Sequence, residues 1–272
     1  MKIQLKRTLK ADFYLLFHSR VFWAILAVPV LILLDSPLDF LMHLKGEWDG
    51  GSVQYHYFHS INFGGLFGPY LIPMVCALPY AVSLCDERAA SAFRYSLARG
   101  DRRSYFLSKY IVSVLSGGLT FMLGLGLLFV LLDIPFPLFT ADDLSFYASG
   151  YFYRDIVLNT PWLYYVIAAF YGFLSGCIYA GFAAVVSTFT VSRSAVIASP
   201  FVLTFGMTQI HVLFKIPMHR RLFSWLAMEA TYNCQVGSEG MTIILAVLRT
   251  ILIIAVCGMI FYMNGRRVLR HE

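Results

Sequence analysis

Charge is scarce in this chain: Lys, Arg, Asp and Glu together make up 13% of its 272 residues, whereas hydrophobic residues make up 59%. A water-soluble globular domain has about 25% charged residues, so the composition excludes a chain that folds mostly in water. The mean hydropathy of +0.70 points the same way. A helix needs about 20 mostly apolar residues to cross a bilayer, and several uncharged runs here approach or exceed that length. The sequence therefore predicts an all-α, polytopic membrane protein.

Motifs that would mark an enzyme are also missing. The chain has no Gly-x-x-x-x-Gly-Lys-[Ser/Thr] phosphate loop, no Gly-x-Ser-Gly nucleophile and no His-Glu-x-x-His zinc motif. His43, His56 and His59 have no Cys or acidic residues at a spacing that would complete a metal site, and we expect them to be solvated loop residues. We therefore predict no catalytic residue, no metal and no cofactor in this chain.

Cysteine is sparse too, with five residues. Cys76, Cys177 and Cys257 fall within apolar runs and Cys85 at the end of one, which leaves only Cys234 in a segment outside the membrane. We therefore predict no disulfide within the chain. The apolar run that follows the basic N-terminus lacks a small-x-small cleavage site, so no cleavable signal peptide is expected.

Six apolar runs predict six transmembrane helices. They cover residues 21–34, 63–84, 110–132, 162–189, 195–214 and 241–263. If both ends of the chain lie inside, 15 of the 21 Lys and Arg residues fall in inner segments and ten of the 15 acidic residues fall outside. This asymmetry is the positive-inside pattern and predicts cytoplasmic termini, although the outer cluster of Lys215, Arg220 and Arg221 runs against it.

The net charge of +6 is explained by this orientation and by contact with anionic lipid headgroups. No segment is large enough to form a nucleic-acid-binding domain, so we expect membrane lipid and not nucleic acid as a partner. Before the first span, basic residues alternate with apolar ones. This pattern predicts an amphipathic interface helix over residues 1–20, with a frayed basic leader as the alternative.

Two spans carry candidates for a translocation path. Pro69 and Pro73 in the second span promote kinks, which are tolerated where neighbours or water satisfy the freed carbonyls. In the fifth span Thr204, Thr208 and His211 stand at i, i+4 and i+7 and share one helix face. Polar groups in a span usually face protein or water. A purely structural kink and hydrogen bonding between helices are the alternatives.

The fourth and sixth spans have features of packing and charge. Small residues recur every four positions over residues 168–188, a pattern that lets another helix approach closely without naming that helix. Arg249 lies within the sixth span, where a charge costs about 2.5–3.5 kcal/mol or more at the bilayer centre. We expect it to pair with Asp133, Glu229 or Glu239, or to extend outward, and we favour a structural ion pair over a gating role.

The densest charge lies between the second and third spans, over residues 86–109 (DERAASAFRYSLARGDRRSYFLSK), which we call the basic island. It contains six basic and three acidic residues. Ala90, Phe93 and Leu97 fall at roughly helical spacing, so a short amphipathic helix is predicted over residues 86–100. A helix of this kind beside a membrane needs a surface to dock on.

The basic island resembles the cytoplasmic loop between the second and third spans of type-2 ABC transporter permeases. In that family a Glu-Arg pair begins a short coupling helix, and a Gly or Pro with Ser/Arg precedes an aromatic-Leu-x-x-Lys start of the third span. The matching positions are Glu87, Arg88, Gly100, Arg103, Ser104, Tyr105, Leu107 and Lys109. The plan of six spans, with an interface helix and a re-entrant-like segment at residues 215–240, resembles the family over the whole chain. The outer loop between the third and fourth spans is longer than the family's.

The resemblance implies a permease subunit whose partner, a separate ABC ATPase subunit, binds ATP and Mg²⁺. The implied docking residues are Glu87, Arg88, Phe93, Arg94, Leu97 and Arg99. It also implies a second permease chain, identical or related, in the plasma membrane, and export of a peptide, antimicrobial or other amphipathic compound. A plain positive-inside loop is the alternative for the basic island. The alternative functions are a helical scaffold and an ATP-independent secondary transporter, although the latter would be expected to carry more buried acids than these spans contain.

Overall fold

The computed structural model describes residues 2–18, 20–34, 41, 45, 51–62, 67–90, 101–148, 153–214 and 238–271. Within these ranges every regular element is a helix, which confirms the predicted all-α class. The elements are α1 (Lys2–His18), a 3-10 helix (Arg20–Leu26), α2 (Ala27–Leu33), α3 (Val53–Asn62), α4 (Phe67–Ala77), α5 (Ser83–Ala89), α6 (Arg102–Leu132), α7 (Ala141–Ala148), α8 (Arg154–Asn159), α9 (Pro161–Val186), α10 (Arg193–Leu213) and α11 (Glu239–His271).

Three of the described helices are long and apolar enough to cross a membrane. They are Arg102–Leu132, Pro161–Val186 and Glu239–Arg267, and they correspond to the third, fourth and sixth predicted spans. A fourth candidate arises if Gln4–His18 and Trp23–Leu33, which meet at a bend of 48°, form one broken span. The protein therefore has the helices of a membrane protein, and the count of six spans stays a prediction.

The helix α6 begins before the apolar run predicted from residue 110, because a capping residue precedes it. The Asp101 carboxylate accepts hydrogen bonds from the backbone N–H of Arg103 at 3.4 Å and of Ser104 at 3.3 Å. These contacts satisfy amides that have no partner within the helix. The helix therefore extends the third predicted span into the basic island.

The second predicted span, residues 63–84, is interrupted near its C-terminal end. Helix α4 ends, residues 78–82 form turns, and α5 begins. Pro79 has no amide hydrogen to donate to the Val75 carbonyl in the α-helical pattern, and that carbonyl accepts from the Leu78 N–H at 3.2 Å instead. The start of the basic island consequently lies on α5, a short helix of its own.

Small residues set the distance between α6 and α9 at the centre of the bundle. A Cβ added to Gly176 would lie 3.0 Å from the Cα of Gly118 and would overlap the Gly117 carbonyl. A Cβ on Gly117 would lie 2.9 Å from the Cys76 carbonyl oxygen of α4. The structure thus identifies α6 as the helix that packs on the small-residue stripe of residues 168–188.

At one end of the bundle, which we call the cap end, α3, α7 and α8 cover the ends of α6 and α9. The Ser52 hydroxyl donates to the Asp143 carboxylate at 2.7 Å. His56, expected to be a solvated loop residue, is buried instead, with its ring centre 5.0 Å from that of Phe136. Fully buried tyrosines fill this layer: Tyr57, Tyr147, Tyr153, Tyr164 and Tyr165.

The opposite end, the basic end, holds the start of α6 and the last turns of α11. Gly265 of α11 packs there against Phe106 of α6. Helix α1 agrees with the predicted helix over residues 1–20 in position. The remainder of the predicted coupling helix, residues 91–100, lies outside the described residues, as does all of the predicted re-entrant-like segment except residues 238–240.

Candidate functional site

A buried ionic cluster joins α1, α5 and α6 at the basic end. At its centre is Lys109, whose side chain is 4% exposed. Its Nζ lies 2.5 Å from Glu87 Oε1 and 3.3 Å from Asp12 Oδ1. One ammonium group therefore faces two carboxylates in a site that excludes most water, where ion pairs hold only if the remaining polar atoms are hydrogen-bonded.

Three hydroxyl groups supply those hydrogen bonds. The Tyr80 hydroxyl accepts from Lys109 Nζ at 2.8 Å and donates to Asp12 Oδ1 at 2.5 Å. The Tyr105 hydroxyl donates to Glu87 Oε2, and the Ser108 hydroxyl donates to Asp12 Oδ2. We call these six residues the Lys109 cluster: Asp12, Tyr80, Glu87, Tyr105, Ser108 and Lys109.

The sequence positions these groups by simple helix geometry. Tyr105, Ser108 and Lys109 stand at i, i+3 and i+4 on α6 and share one face. Tyr80 lies in the turn that follows Pro79, so the break in the second span places it beside this face. The cluster therefore ties the N-terminal helix and the broken end of the second span to the third span.

Arg88, next in sequence to Glu87, binds a different helix. Its guanidinium donates to the carbonyl oxygens of Ser187 and Thr188, both at 3.3 Å. These carbonyls follow the last turn of α9, where a cation is favoured by the unpaired carbonyls and by the helix dipole. Glu87 and Arg88 thus bind α5 to α6 and to α9. The other predicted docking residues, Phe93, Arg94, Leu97 and Arg99, lie outside the described residues.

The structure brings α4 and α10, parts of the second and fifth predicted spans, into contact. The ring centre of Tyr70 lies 6.1 Å from that of Phe201 and 5.7 Å from that of Phe205. Pro73 is buried within α4. The Thr204 hydroxyl donates to the Pro200 carbonyl of its own helix at 2.8 Å.

The other path candidates fall on residues whose side chains are not described. They are Pro69 in α4 and Thr208 and His211 in α10. Helix α10, Arg193–Leu213, is 21 residues long and is apolar over Arg193–Gly206. The role of these residues in a translocation path stays a prediction.

Arg249 lies in α11 with its side chain half-buried. Of its three predicted acidic partners, Glu239 accepts a hydrogen bond from the backbone N–H of Tyr153 at 2.5 Å and so links α11 to the cap end. Asp133 is exposed at the end of α6, and Glu229 lies outside the described residues. The predicted ion pair of Arg249 stays a prediction.

Three members of the Lys109 cluster were not predicted from the sequence: Asp12, Tyr80 and Ser108. Tyr105 and Lys109 were only motif positions. One signal was present in the sequence. Asp12 is the only acidic residue among the first 34, and it sits within an otherwise basic and apolar segment. A single acid in such a segment is costly near a membrane unless a cation pairs with it.

The Lys109 cluster is suited to two roles. It can act as a mechanical link, because moving α5 away from α6 would leave charges unpaired in a buried site. It also brings two acidic residues and a lysine together beside the apolar spans, and ionisable residues of this kind are typical of transport pathways. Comparisons with models of known protein families, with curated proteins and with solved structures found no match for this chain.

Proposed function

We propose that this chain is the permease subunit of an ATP-driven exporter whose ATPase is a separate polypeptide that binds ATP and Mg²⁺. Six spans cross the plasma (inner) membrane, both termini are cytoplasmic, and the basic island faces the cytoplasm. The cargo is a peptide, an antimicrobial or another amphipathic compound. Two permease chains, identical or related, complete the transporter. The positive-inside charge pattern and the resemblance of the basic island to the loop of type-2 ABC permeases support this proposal.

The observation that carries the proposal is the 2.5 Å contact between Glu87 of α5 and Lys109 of α6. In the proposed mechanism, closure of the ATPase around nucleotide displaces residues 91–100 together with α5. Separating α5 from α6 would leave the buried Lys109 ammonium without the Glu87 carboxylate, which is energetically costly, so α5, α1 and α6 move together. The motion of the docked segment thereby reaches the third span, and the spans alternate between inward-open and outward-open states.

The contacts of α5 divide the predicted docking residues into two groups. Glu87 and Arg88 are engaged within the chain, by Lys109 and by the carbonyls after α9. Reversing their charge would therefore disturb the fold and the docking together. We assign the surface that the ATPase contacts to Phe93, Arg94, Leu97 and Arg99, with Glu87 and Arg88 transmitting the motion.

Copurification tests the proposal. The tagged full-length chain is captured in mild detergent from cells that produce it naturally, and ATP hydrolysis is measured on the captured material. We expect a polypeptide with a phosphate loop to copurify and to hydrolyse ATP. The double variant Arg94→Glu/Arg99→Glu should lose this partner at an unchanged midpoint of thermal unfolding.

The matched control is Arg154→Glu, which reverses an exposed charge on α8 at the cap end. This variant should keep the ATPase. If the Arg94→Glu/Arg99→Glu variant keeps it as well, the docking assignment is wrong. If the unaltered chain captures no ATPase, the permease proposal itself fails.

The Lys109 cluster also favours a second candidate, an ATP-independent secondary transporter. The predicted spans contain almost no acids, but just outside them Asp12 and Glu87 meet at a buried lysine. In that case the purified chain alone, in proteoliposomes, would move an amphipathic dye in response to a proton gradient without ATP. Asp12→Asn would abolish the movement. A helical scaffold would show neither this activity nor an ATPase partner.

A further inference from the structure

An apolar groove runs along the surface between α6 and α11, and its lower part opens at the basic end. It consists of two adjoining cavities of about 490 Å³ and 440 Å³. Tyr110, Ile111 and Ile254 line both cavities, so the two form one continuous groove. The upper cavity is closed at the back by α9, which contributes Phe173 among others.

The length of the groove matches one leaflet of a bilayer. On α6 its lining extends from Arg103 to Leu115, and on α11 from Tyr262 to Val247. At a rise of about 1.5 Å per residue these stretches are roughly 18–22 Å long. Half of the hydrocarbon core of a bilayer is about 15 Å thick. An extended hydrocarbon chain that begins at the membrane surface would therefore fit within the groove.

The polar side chains along the groove make their hydrogen bonds within the protein. The Tyr110 hydroxyl donates to the Ile254 carbonyl at 2.7 Å, and the Thr250 hydroxyl donates to the Ala246 carbonyl at 2.8 Å. The Ser104 hydroxyl donates to a carboxylate oxygen at 2.9 Å. Above the basic end, the lining therefore presents a surface that favours an apolar occupant.

The basic end of the groove carries excess positive charge. Arg103 lines it, and the guanidinium carbon of Arg266 lies 5.7 Å from the ring centre of Tyr262, which also lines it. Both arginines are exposed. Lys6 is exposed on α1 beside a lining leucine. Asp101, an acidic residue near this end of the groove, is already engaged by two backbone amides and one hydroxyl of α6.

We propose that this groove binds one anionic phospholipid, with the phosphate held by Arg103 and Arg266 and one acyl chain lying between α6 and α11. Basic pockets between transmembrane helices at the cytoplasmic surface are suited to acidic lipid headgroups. A second copy of the chain fits less well. A two-fold contact brings the same patch of both chains together, so each pair of arginines would face its own like charges. This inference does not depend on the proposed transport function.

Selective lipid retention tests the site. The purified full-length chain is equilibrated with an equal mixture of phosphatidylglycerol and phosphatidylcholine in detergent, and bound lipid is counted by native mass spectrometry. We expect phosphatidylglycerol to be retained preferentially. Arg103→Ala and Arg266→Ala should each weaken its binding about fivefold, the effect of one basic side chain near an anionic surface. Arg154→Ala at the cap end should have no effect.

Two further variants test whether an acyl chain lies in the apolar part of the groove. Ala255 lines the groove and is exposed, so Ala255→Phe should fill the groove and displace the lipid without removing charge. Val256 is the next residue, is exposed and is not part of the lining, so Val256→Phe should leave lipid binding unchanged.

Three results would overturn the inference. One is equal retention of phosphatidylcholine and phosphatidylglycerol, and another is binding that neither arginine variant nor Ala255→Phe weakens. The third is efficient disulfide cross-linking between two copies of the Ala255→Cys variant in membranes, which would show that a second chain occupies the groove.

Discussion

Lys109 and Glu87 are 22 residues apart in the sequence, yet Nζ of the lysine lies 2.5 Å from Oε1 of the glutamate. The same ammonium group lies 3.3 Å from Asp12 Oδ1 of the N-terminal helix. Three helices that begin or end at the basic end are thus held by a single cation. The stability of that end should depend on this lysine more than on any neighbouring surface charge.

Replacement of this lysine tests that dependence. Lys109→Met should lower the free energy of unfolding by about 3–5 kcal/mol, because the buried Asp12 carboxylate and the partly buried Glu87 carboxylate would lose their cation. Thermal unfolding of the full chain in detergent provides the measurement. Lys6→Met, which removes an exposed lysine of α1, should change stability by no more than about 0.5 kcal/mol.

A double variant separates charge pairing from packing. Adding Glu87→Gln to Lys109→Met removes one of the unpaired carboxylates, so the two changes together should cost less than the sum of the single variants. Contacting charged residues typically show coupling energies of about 0.5–3 kcal/mol. Strict additivity would contradict a functioning ion pair between these residues.

Replacement of two glycines of α6 by alanine should change the stability of the protein in opposite directions. A Cβ on Gly117 would overlap α9 and lie 2.9 Å from the Cys76 carbonyl oxygen, whereas one on Gly126 would meet nothing within 4 Å. Gly117→Ala should therefore destabilise the protein by about 1–3 kcal/mol through overpacking. Gly126→Ala should be neutral or stabilise by up to about 1 kcal/mol, since alanine favours helix. Equal effects in thermal unfolding would show that α6 and α9 do not pack closely at Gly117.

Two buried tyrosines of the cap end form a matched pair. The Tyr147 hydroxyl accepts from the Gln54 amide at 2.8 Å and lies 3.0 Å from the Tyr164 hydroxyl. The Tyr57 hydroxyl is buried and has no hydrogen-bond partner among the described residues. Tyr147→Phe should therefore cost about 1–3 kcal/mol in thermal unfolding. Tyr57→Phe should be neutral or stabilising, because it removes an unsatisfied buried group, and a large loss there would reveal a partner for that hydroxyl.

Asp101 should make the start of α6 sensitive to acid. The hydrogen bond from the Ser104 hydroxyl, together with those from backbone amides, lowers the pKa of its carboxyl below the usual 3.8. Because the pKa of Asp101 is lower in the folded state, the ionised carboxylate stabilises the fold fully at pH values well above 3.8. This stabilisation is lost as the pH falls through the lowered folded value.

The comparison variant is Asp101→Asn, which keeps an acceptor for the cap but cannot titrate. Thermal unfolding midpoints of the two proteins should converge as the pH is lowered toward the folded pKa, with the natural chain losing more. Parallel loss of stability in both proteins would show that Asp101 does not contribute to the acid sensitivity.

Individual helices could be predicted from the sequence where a single property, such as a long uncharged run, determines the structure. Long uncharged runs predicted α6, α9 and α11, because only apolar helices of that length satisfy both the backbone and a hydrocarbon surrounding. Pro69 and Pro73 of the second span predicted bending. They did not predict that the helix would stop before Pro79, which depends on the alternative hydrogen bond made by Leu78.

Contacts between distant segments could not be predicted from the sequence. The small-residue stripe predicted close packing, but its partner is α6 because Gly117 and Gly118 lie opposite it. His56 was expected to be a solvated loop residue, whereas it is buried against Phe136 in the tyrosine-rich layer at the cap end. Asp12 finds its cation far along the chain. Its isolation among basic and apolar residues indicated that it needs a cation, but not that this cation is Lys109.

We propose that an ATPase docks on the segment after α5. Photo-cross-linking from Phe93 is the most direct test of this contact. This residue is replaced by benzoylphenylalanine in the full-length chain, native membranes are irradiated, and the cross-linked partner is identified by mass spectrometry. We expect the probe at Phe93 to capture a partner that contains a phosphate loop, and the same probe at Leu158, which is exposed at the cap end, to capture no such partner. If the probe at Phe93 captures only lipid, or only this chain itself, an ATPase does not dock there.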